Sequence, residues 1–143
     1  MATIAKSYYP PPEYIAGVYG YRAVGNYAKF KEYVSASMVS ETKGKSALAG
    51  KGKYDYALDV SQQLDGLIDP SKENKVEIIR AIGGGDQAWS TIVAKTTGTT
   101  KAGKTLSHEY VLLVRWDLDW KIAEIHAFHD DVHIGEHLKD VKG

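Results

Sequence analysis

The second half of the chain alternates apolar and polar residues with a period of two, and this pattern constrains the fold more than any other feature. It runs through the segments "KVEIIRAI", "QAWSTIVAKTTGT", "TLSHEYVLLVRW" and "KIAEIHAFHD", which are separated by "GGGD", "KAGK" and "DLDW". Period-two alternation is typical of strands with one face on a core, and short turns join antiparallel neighbours. The pattern predicts a meander of four long antiparallel strands over residues 75–130.

The first half of the chain has the period of a helix instead. Tyr14, Val18 and Tyr21 recur on one face of a helix that begins near Pro12, where the missing N–H of proline costs nothing. Two further helices and a short strand are predicted at residues 27–34, 53–68 and 38–43. Helices followed by antiparallel strands predict an α+β fold in which one sheet curls round a helical layer.

The bulk composition excludes several classes of protein. A length of 143 residues predicts a single domain, with residues 1–11 and 134–143 as peripheral tails. Lys plus Arg equals Asp plus Glu at 18 each, so we expect no nucleic-acid partner and no membrane surface. The chain has no cysteine, no signal-like apolar run at its start and no segment of membrane-spanning length. We therefore expect a soluble cytoplasmic protein.

Two strings in the second half resemble a known family. "TTGTTKAGKTLSHEYVLLVRW" and "WKIAEIHAFHD" are similar to motifs of the nuclear-transport-factor-2-like (NTF2-like) superfamily, in particular the SnoaL-like polyketide cyclases and the ketosteroid isomerases. The resemblance implies a cone-shaped pocket, closed at one end by three helices and walled by a curved, mostly antiparallel sheet. It also implies a homodimer through the outer sheet face, and chemistry on small hydrophobic molecules without metal or organic cofactor.

The chain departs from the family pattern at two positions, one just before its last strand and one within it. Trp120 stands where the family has glycine. Ala127 occupies the position at which several relatives have a catalytic acid or base, and a methyl group can do neither. A catalyst on this fold must therefore use another part of the wall.

Glu41 is the first candidate for a catalytic base. The resemblance places it where the isomerases have their general-base aspartate, in the short strand after the second helix. A carboxylate in an apolar cavity has its pKa raised by desolvation, toward the range in which a base works at neutral pH. The alternative is a surface acid at the edge of a loop.

Histidines and a tyrosine in the last two strands are the other catalytic candidates. Because side chains alternate along a strand, His126 and His129 point to opposite faces. The resemblance turns Ala127 and His129 toward the pocket, and it places His108 and Tyr110 on the same side of the neighbouring strand. Such donors in a dry pocket would stabilise an enolate oxygen. The alternative for the neighbouring strand is a cross-strand polar pair at a sheet end.

The remaining candidates are expected to bind substrate. Tyr14 and Tyr21 lie near the position of the isomerases' oxyanion tyrosine, which is itself Val18 here. Asp59 would be a pocket acid if the polar face of the third helix turned inward, although a solvated face is the more usual outcome. The complete predicted set of substrate-binding residues is Tyr14, Tyr21, Asp59, Leu112, Trp116 and Ala127.

The string "HIGEH" offers a metal alternative. It matches H-x-x-E-H, which would put His133 and His137 one helical turn apart, as a zinc pair requires. Gly135 weakens such a helix by about 1 kcal/mol relative to alanine, and only six residues follow His137. We therefore expect a solvated tail and no metal site.

These observations predict an enzyme that moves a proton next to a carbonyl group. Glu41 or His129 would abstract the proton, while His108, Tyr110 or a tyrosine of the first helix would hold the developing oxyanion. The substrate would be a hydrophobic, oxygenated molecule such as a polyketide or terpenoid intermediate, in an isomerisation, cyclisation or dehydration. The alternative is a non-catalytic ligand-binding or dimerisation module of the same fold.

Overall fold

The computed structural model describes residues 8–141, which form four helices and one sheet of six strands. The helices are α1 (Pro12–Ala23), α2 (Tyr27–Lys31), α3 (Tyr54–Asp65) and α4 (Asp131–Val141). The strands are β1 (Val34–Thr42), β2 (Gly50–Gly52), β3 (Lys75–Gly83), β4 (Trp89–Thr99), β5 (Thr105–Trp116) and β6 (Ile122–Phe128). The predicted α+β class is therefore confirmed. No helix in this range combines the length and the apolar content needed to cross a bilayer.

The sheet is open and has the strand order β2-β1-β6-β5-β4-β3. Strands β3 to β6 form the predicted antiparallel meander, and β5 has the bounds that its alternation predicts. The pairing of β1 with β6 is parallel, with Ser40 opposite Ile125 and Thr42 opposite Ala127. This pairing brings the short strand of the first half beside the last strand, so both contribute to one wall.

The main core lies between α1 and the sheet. Its buried side chains include Ile15, Val18, Tyr19, Met38, Ile92, Val114 and Trp116. The indole Nε1 of Trp116 donates a hydrogen bond to the hydroxyl of Ser90 at 3.0 Å. Because both side chains are buried, this bond removes the cost of an unpaired donor inside the core.

The C-terminal residues are not the solvated tail that the sequence suggested. Residues 131–141 form α4, in which Ile134 is 1% and Leu138 is 7% exposed. The two side chains are one turn apart and pack in a second core cluster with Leu48, Leu67 and Leu106. Burying one such side chain stabilises by roughly 1.5–3 kcal/mol, which exceeds the helix cost of Gly135.

The N-terminal residues within the described range are also docked. The N–H of Tyr9 donates to the carbonyl of Gly85 at 2.7 Å, and Pro10 is buried. Gly84 has a φ of +79° and meets the carbonyl of Pro10 so closely that a Cβ would collide with it. The glycine run therefore forms a turn that contacts Tyr9 and Pro10. Residues 1–7 of the predicted tail lie outside the described residues.

Candidate active site

A cavity of about 90 Å³ lies between the three helices α1 to α3 and strands β1, β4, β5 and β6. A single water needs roughly 10–15 Å³ on this measure, so the space suits a small molecule. The apolar part of the wall includes Phe30, Met38, Leu58, Val60, Leu106, Leu112, Ile125 and Ala127. Such a wall favours a hydrophobic ligand that is oriented by a few polar groups.

Three polar rings form one side of the cavity. The β5–β6 register pairs Val111 with Phe128, which brings His129 beside Tyr110. The ring centroids are 5.1 Å apart for His108 and His129, and 5.4 Å apart for Tyr110 and His129. His108 also stacks on Tyr110, at 5.1 Å. The three side chains therefore line the same part of the cavity wall.

His108 is held in one protonation state. Its side chain is 3% exposed, and the backbone N–H of Asp130 donates to its Nε2 at 3.2 Å. An accepting Nε2 means that the neutral ring has its proton on Nδ1. Burial, followed by the neighbouring His129 and His133, lowers the pKa of His108 to about 4. At neutral pH this ring is an uncharged hydrogen-bond donor.

His129 lines the cavity and has a ring nitrogen without a hydrogen-bond partner in the described part of the chain. This nitrogen is the buried Nδ1. Burial and the charge of Arg22 lower the pKa of His129 to about 4. The ring is therefore neutral at pH 7, and its free nitrogen can accept a hydrogen bond or a proton from a bound molecule.

A second polar group forms where the ends of the three helices meet. Tyr19 and Arg22 lie three residues apart on α1, Tyr27 begins α2 and Asp65 ends α3. The Tyr27 hydroxyl donates to the Asp65 carboxylate, and the Arg22 Nη1 lies 4.0 Å from that carboxylate. Burial raises the pKa of Tyr27 above its usual range. The phenol of Tyr27 is therefore protonated and acts as a donor.

Sequence reasoning missed this second group. The apolar stripe predicted for α1 contains Tyr14, Val18 and Tyr21, and Tyr19 lies on another side of that helix. The pairing of the α1 arginine with Asp65 depends on where three helices converge, which no local pattern encodes. The signal that was available is the i, i+3 spacing of Tyr19 and Arg22, which places both on one helix face.

The structure places five of the ten predicted site residues on the cavity wall: His108, Tyr110, Leu112, Ala127 and His129. Their catalytic and binding roles remain predictions. The other five are Glu41, Tyr14, Tyr21, Asp59 and Trp116, and they do not line this cavity.

The predicted placement of Glu41 is wrong. Ser40 and Thr42 face the cavity from β1, so strand alternation turns Glu41 to the outer face of the sheet. There its carboxylate lies 3.0 Å from the Lys43 Nζ and 3.5 Å from His126. The hydrogen bond from Lys43 is the largest influence, and it holds the pKa of Glu41 below its usual range. This direction is opposite to the one that a desolvated general base requires.

The tyrosines predicted to bind substrate lie elsewhere in the fold. Tyr14 packs edge-on against Trp120, with ring centroids 4.9 Å apart, and Tyr21 stacks on Tyr33 at 5.9 Å. Trp120 has a φ of +61°, and its Nε1 donates to the carbonyl of Tyr8 at 2.9 Å. These contacts turn the two tyrosines away from the cavity.

The last two predicted binding residues are also displaced. Trp116 is a core residue whose Nε1 is satisfied by Ser90. Asp59 is exposed on α3 and accepts a hydrogen bond from Gln63 Nε2 at 2.8 Å. It thus lies on the solvated face that α3 turns away from the core.

The histidines of the "HIGEH" string belong to α4. The rings of His133 and His137 lie edge to face with centroids 4.7 Å apart, and His133 lies 6.5 Å from His108. Within residues 8–141, no three histidine, cysteine, aspartate or glutamate side chains come together as a metal-holding group. His133 is instead a ring neighbour of both His137 and His108.

Comparison with known proteins assigns the class of fold. No protein-family model and no curated protein matches the chain by sequence. Bal32a, from a soil-derived mobile gene cassette, superposes with a TM-score of 0.72 and 14% identity, covering 88% of this chain and 94% of that one. An NTF2-like protein from Burkholderia thailandensis E264 has a TM-score of 0.69 and 16% identity, covering 94% and 98%.

A third similar structure is that of a candidate enzyme. IdmH from Streptomyces antibioticus, a candidate polyketide cyclase, has a TM-score of 0.68 and 16% identity, covering 89% of this chain and 96% of that one. The chain therefore has the NTF2-like fold, and the resemblance in its sequence is confirmed at the level of architecture.

Proposed function

We propose that the protein is an acid–base enzyme that moves a proton on a hydrophobic, oxygenated small molecule. The observation on which this rests is the neutral His129, which lines an apolar cavity beside the donors His108 and Tyr110 and has a buried Nδ1 with no hydrogen-bond partner among the described residues. A base next to oxygen-directed donors is the arrangement that enolisation requires.

The residues suggest how the proton moves. With a ketone bound, the carbonyl oxygen accepts a hydrogen bond from Tyr110, and the C–H beside the carbonyl faces the Nδ1 of His129. His129 takes that proton and becomes an imidazolium, while the C–H electron pair forms the enolate. An empty cavity disfavours the imidazolium, because burial lowers the pKa of His129 to about 4. The negative enolate raises that pKa, so the ion pair forms only with substrate.

Returning the proton to a different carbon completes an isomerisation. In a cyclisation the enolate carbon attacks a second carbonyl of the same molecule, and the alkoxide that forms takes the proton from the His129 imidazolium. In a dehydration the enolate expels a hydroxyl group on the next carbon, which leaves as water with that same proton. All three need only the base and the donors, so we propose that they run without metal or organic cofactor. The apolar wall and the likeness in fold to a candidate polyketide cyclase favour a polyketide or terpenoid intermediate as substrate.

One observation favours a second candidate, a ligand-binding module without chemistry. A general base works best when its pKa is near the operating pH, whereas the pKa of His129 in the empty cavity is about 4. If a bound ligand does not raise that value, the cavity binds its ligand and no proton moves.

A bicyclic ketone separates the two candidates. The C1 hydrogens of 2-tetralone exchange with D2O when a base removes them, and proton NMR follows the loss of signal. We expect the wild type to accelerate exchange above the buffer rate and His129→Gln to abolish the acceleration. The matched control is His126→Gln, because His126 lies on the outer face, bonded to Glu124, and should keep the wild-type rate. Binding of tetralone without exchange would establish the module instead.

We also propose that two copies pair through the outer sheet face, in the cytoplasm. Val39, Val111 and Phe128 are exposed apolar residues on that face, and Val111 and Phe128 are cross-strand neighbours. Light scattering during size exclusion should give a dimer for the wild type and a monomer for Val111→Glu. Val132→Glu, at an exposed position of α4, should remain a dimer. A monomeric wild type at micromolar concentration would contradict the pairing.

A further inference from the structure

A cation is enclosed at the inner corner of the cavity. The side chain of Arg22 is 15% exposed, and its nearest carboxylate oxygen, on Asp65, is 4.0 Å away. Within residues 8–141 its guanidinium makes no hydrogen bond to protein, although its charge lies 5.7 Å from the centroid of the Tyr27 ring. Enclosed charges are normally paired and hydrogen-bonded, because leaving water costs them their hydration.

The pairing with Asp65 is incomplete. The side chain of Asp65 is 46% exposed, and its carboxylate already accepts the hydroxyl proton of Tyr27. A guanidinium has five N–H donors in a planar fork. One carboxylate oxygen at 4.0 Å leaves most of those donors available to a ligand.

Two further polar atoms at this corner have no partner. Tyr19 is 2% exposed and its hydroxyl makes no hydrogen bond within the described residues. The Nδ1 of His129 is likewise buried and makes no hydrogen bond within the described residues. Burial raises the pKa of Tyr19 and lowers the pKa of His129, and the nearby charge of Arg22 acts downward on both, so all three groups lie within electrostatic reach of one another.

Buried polar atoms are rarely left without partners in a folded protein. The unpartnered hydroxyl of Tyr19 is therefore an observation independent of the arginine. Both features belong to residues that line one cavity, together with His129. A second space of about 10 Å³, no larger than one water needs, is also bounded by Tyr19, Arg22 and Tyr110.

We propose that Arg22 and Tyr19 form a subsite for a carboxylate, and that the natural substrate is therefore a hydrophobic acid. The carboxylate takes two parallel N–H···O bonds from the guanidinium, whose planar fork matches it. The Tyr19 hydroxyl donates a third hydrogen bond to the same group. The apolar body of the acid fills the space between the helices and the sheet. This subsite deepens the proposed function by naming the substrate class, but binding at it needs no catalysis.

A matched pair of ligands tests the subsite. The bicyclic acid 2-naphthoate and the neutral 2-naphthamide have the same shape, and titration calorimetry at pH 7 measures both. We expect the wild type to bind the acid about tenfold more tightly or better, as a charge-assisted bidentate contact implies. Equal binding of the two ligands, or tighter binding of the amide, would overturn the proposal without any variant.

Substitutions then test which residues cause the preference for the acid over the amide. Arg22→Met should remove the preference for the acid while leaving the affinity for the amide within about twofold. Tyr19→Phe should weaken acid binding severalfold. Arg80→Met is the control, because Arg80 is exposed on β3 outside the cavity, and it should bind as the wild type does. A tenfold preference that survives in Arg22→Met would contradict the assignment.

Arg22→Lys covers the case in which the methionine variant does not fold. It keeps the charge but loses the fork, so the preference for the acid should fall without disappearing. An unchanged preference in that variant would count against the bidentate contact. The two proposals fail separately. Binding of naphthoate through Arg22 without tetralone exchange refutes the enzyme alone, and exchange that depends on His129 without acid preference refutes the subsite alone.

Discussion

His129 lies against His108 with the two ring centroids 5.1 Å apart and the ring planes 23° from parallel. Two imidazolium charges at that distance would repel each other in a poorly hydrated place. Burial is the larger influence on both rings, and it lowers the pKa of each to about 4. The cavity is therefore bordered by an uncharged pair throughout the physiological range.

This pair makes the stability of the protein depend on pH. In the unfolded chain both histidines titrate near 6.5, so between pH 6.5 and 4 the unfolded state binds more protons than the folded one. The free energy of unfolding is then highest above pH 6.5 and falls as pH drops toward 4, by on the order of 1–3 kcal/mol for each ring. His137, whose pKa burial also lowers, adds in the same direction. Urea unfolding at pH 7, 6 and 5 measures the slope.

Two variants test whether His108 and His129 cause this dependence of the free energy of unfolding on pH. Replacing both His108 and His129 with Gln should flatten the dependence between pH 6.5 and 4.5, because glutamine does not titrate. His126→Gln should keep the full slope, since His126 lies on the outer face between Glu124 and Glu41. An unchanged slope in the double variant would mean that other groups control acid unfolding.

Glu41→Gln should leave catalysis unaffected. The carboxylate faces Lys43 and Lys51 on the outer side of β1, so its removal changes neither the base nor the donors of the cavity. The tetralone exchange rate should stay within about twofold of the wild type. The thermal unfolding midpoint should move little, because the lysine partners are solvated. A loss of exchange as large as that of His129→Gln would show that Glu41 acts in the reaction.

Leu138→Ala should destabilise the protein strongly. Leu138 is 7% exposed in the cluster that joins α4 to Leu48 and Leu106, and emptying such a position costs about 2–5 kcal/mol. Val132→Ala, on the exposed side of the same helix, should change the free energy of unfolding by less than about 0.5 kcal/mol. Urea denaturation measures both. Equal, small effects would mean that α4 is not part of the folded core.

Ser90→Ala should cost about 1–3 kcal/mol, because it leaves the Nε1 of Trp116 unpaired in a buried place. Ser107→Ala is the control, since Ser107 is exposed on β5. Thermal unfolding followed by tryptophan fluorescence compares the two variants. If Ser90→Ala unfolds at the wild-type temperature, the indole has another partner or a water.

Strand alternation predicted most of the sheet and half of the candidate site. On β5 the period of two persists for twelve residues, long enough to fix both the strand bounds and the face of His108 and Tyr110. On β1 alternation also holds, but the family resemblance assigns Glu41 to the cavity through an alignment that is uncertain by about one residue at this strand. One residue is enough to exchange the two faces of a strand.

The parts that sequence reasoning missed depend on distant contacts. Among residues 131–140 of α4, the buried apolar residues are Ile134 and Leu138, and the cluster that covers them includes residues 48, 67 and 106. The ion pair of Arg22 and Asp65 likewise joins the ends of two helices that are separated by more than forty residues. Local periodicity contains no information about either.

The parallel pairing of β1 with β6 has a consequence for how the chain is made. Ser40 pairs with Ile125 more than eighty residues later, so during synthesis β1 has one unpaired edge until β6 has also emerged from the ribosome. Contacts of such long sequence separation slow folding and leave strand edges open to other chains in the interval. The sheet, and with it the wall that holds His129, can therefore be completed only after β6 has been synthesised.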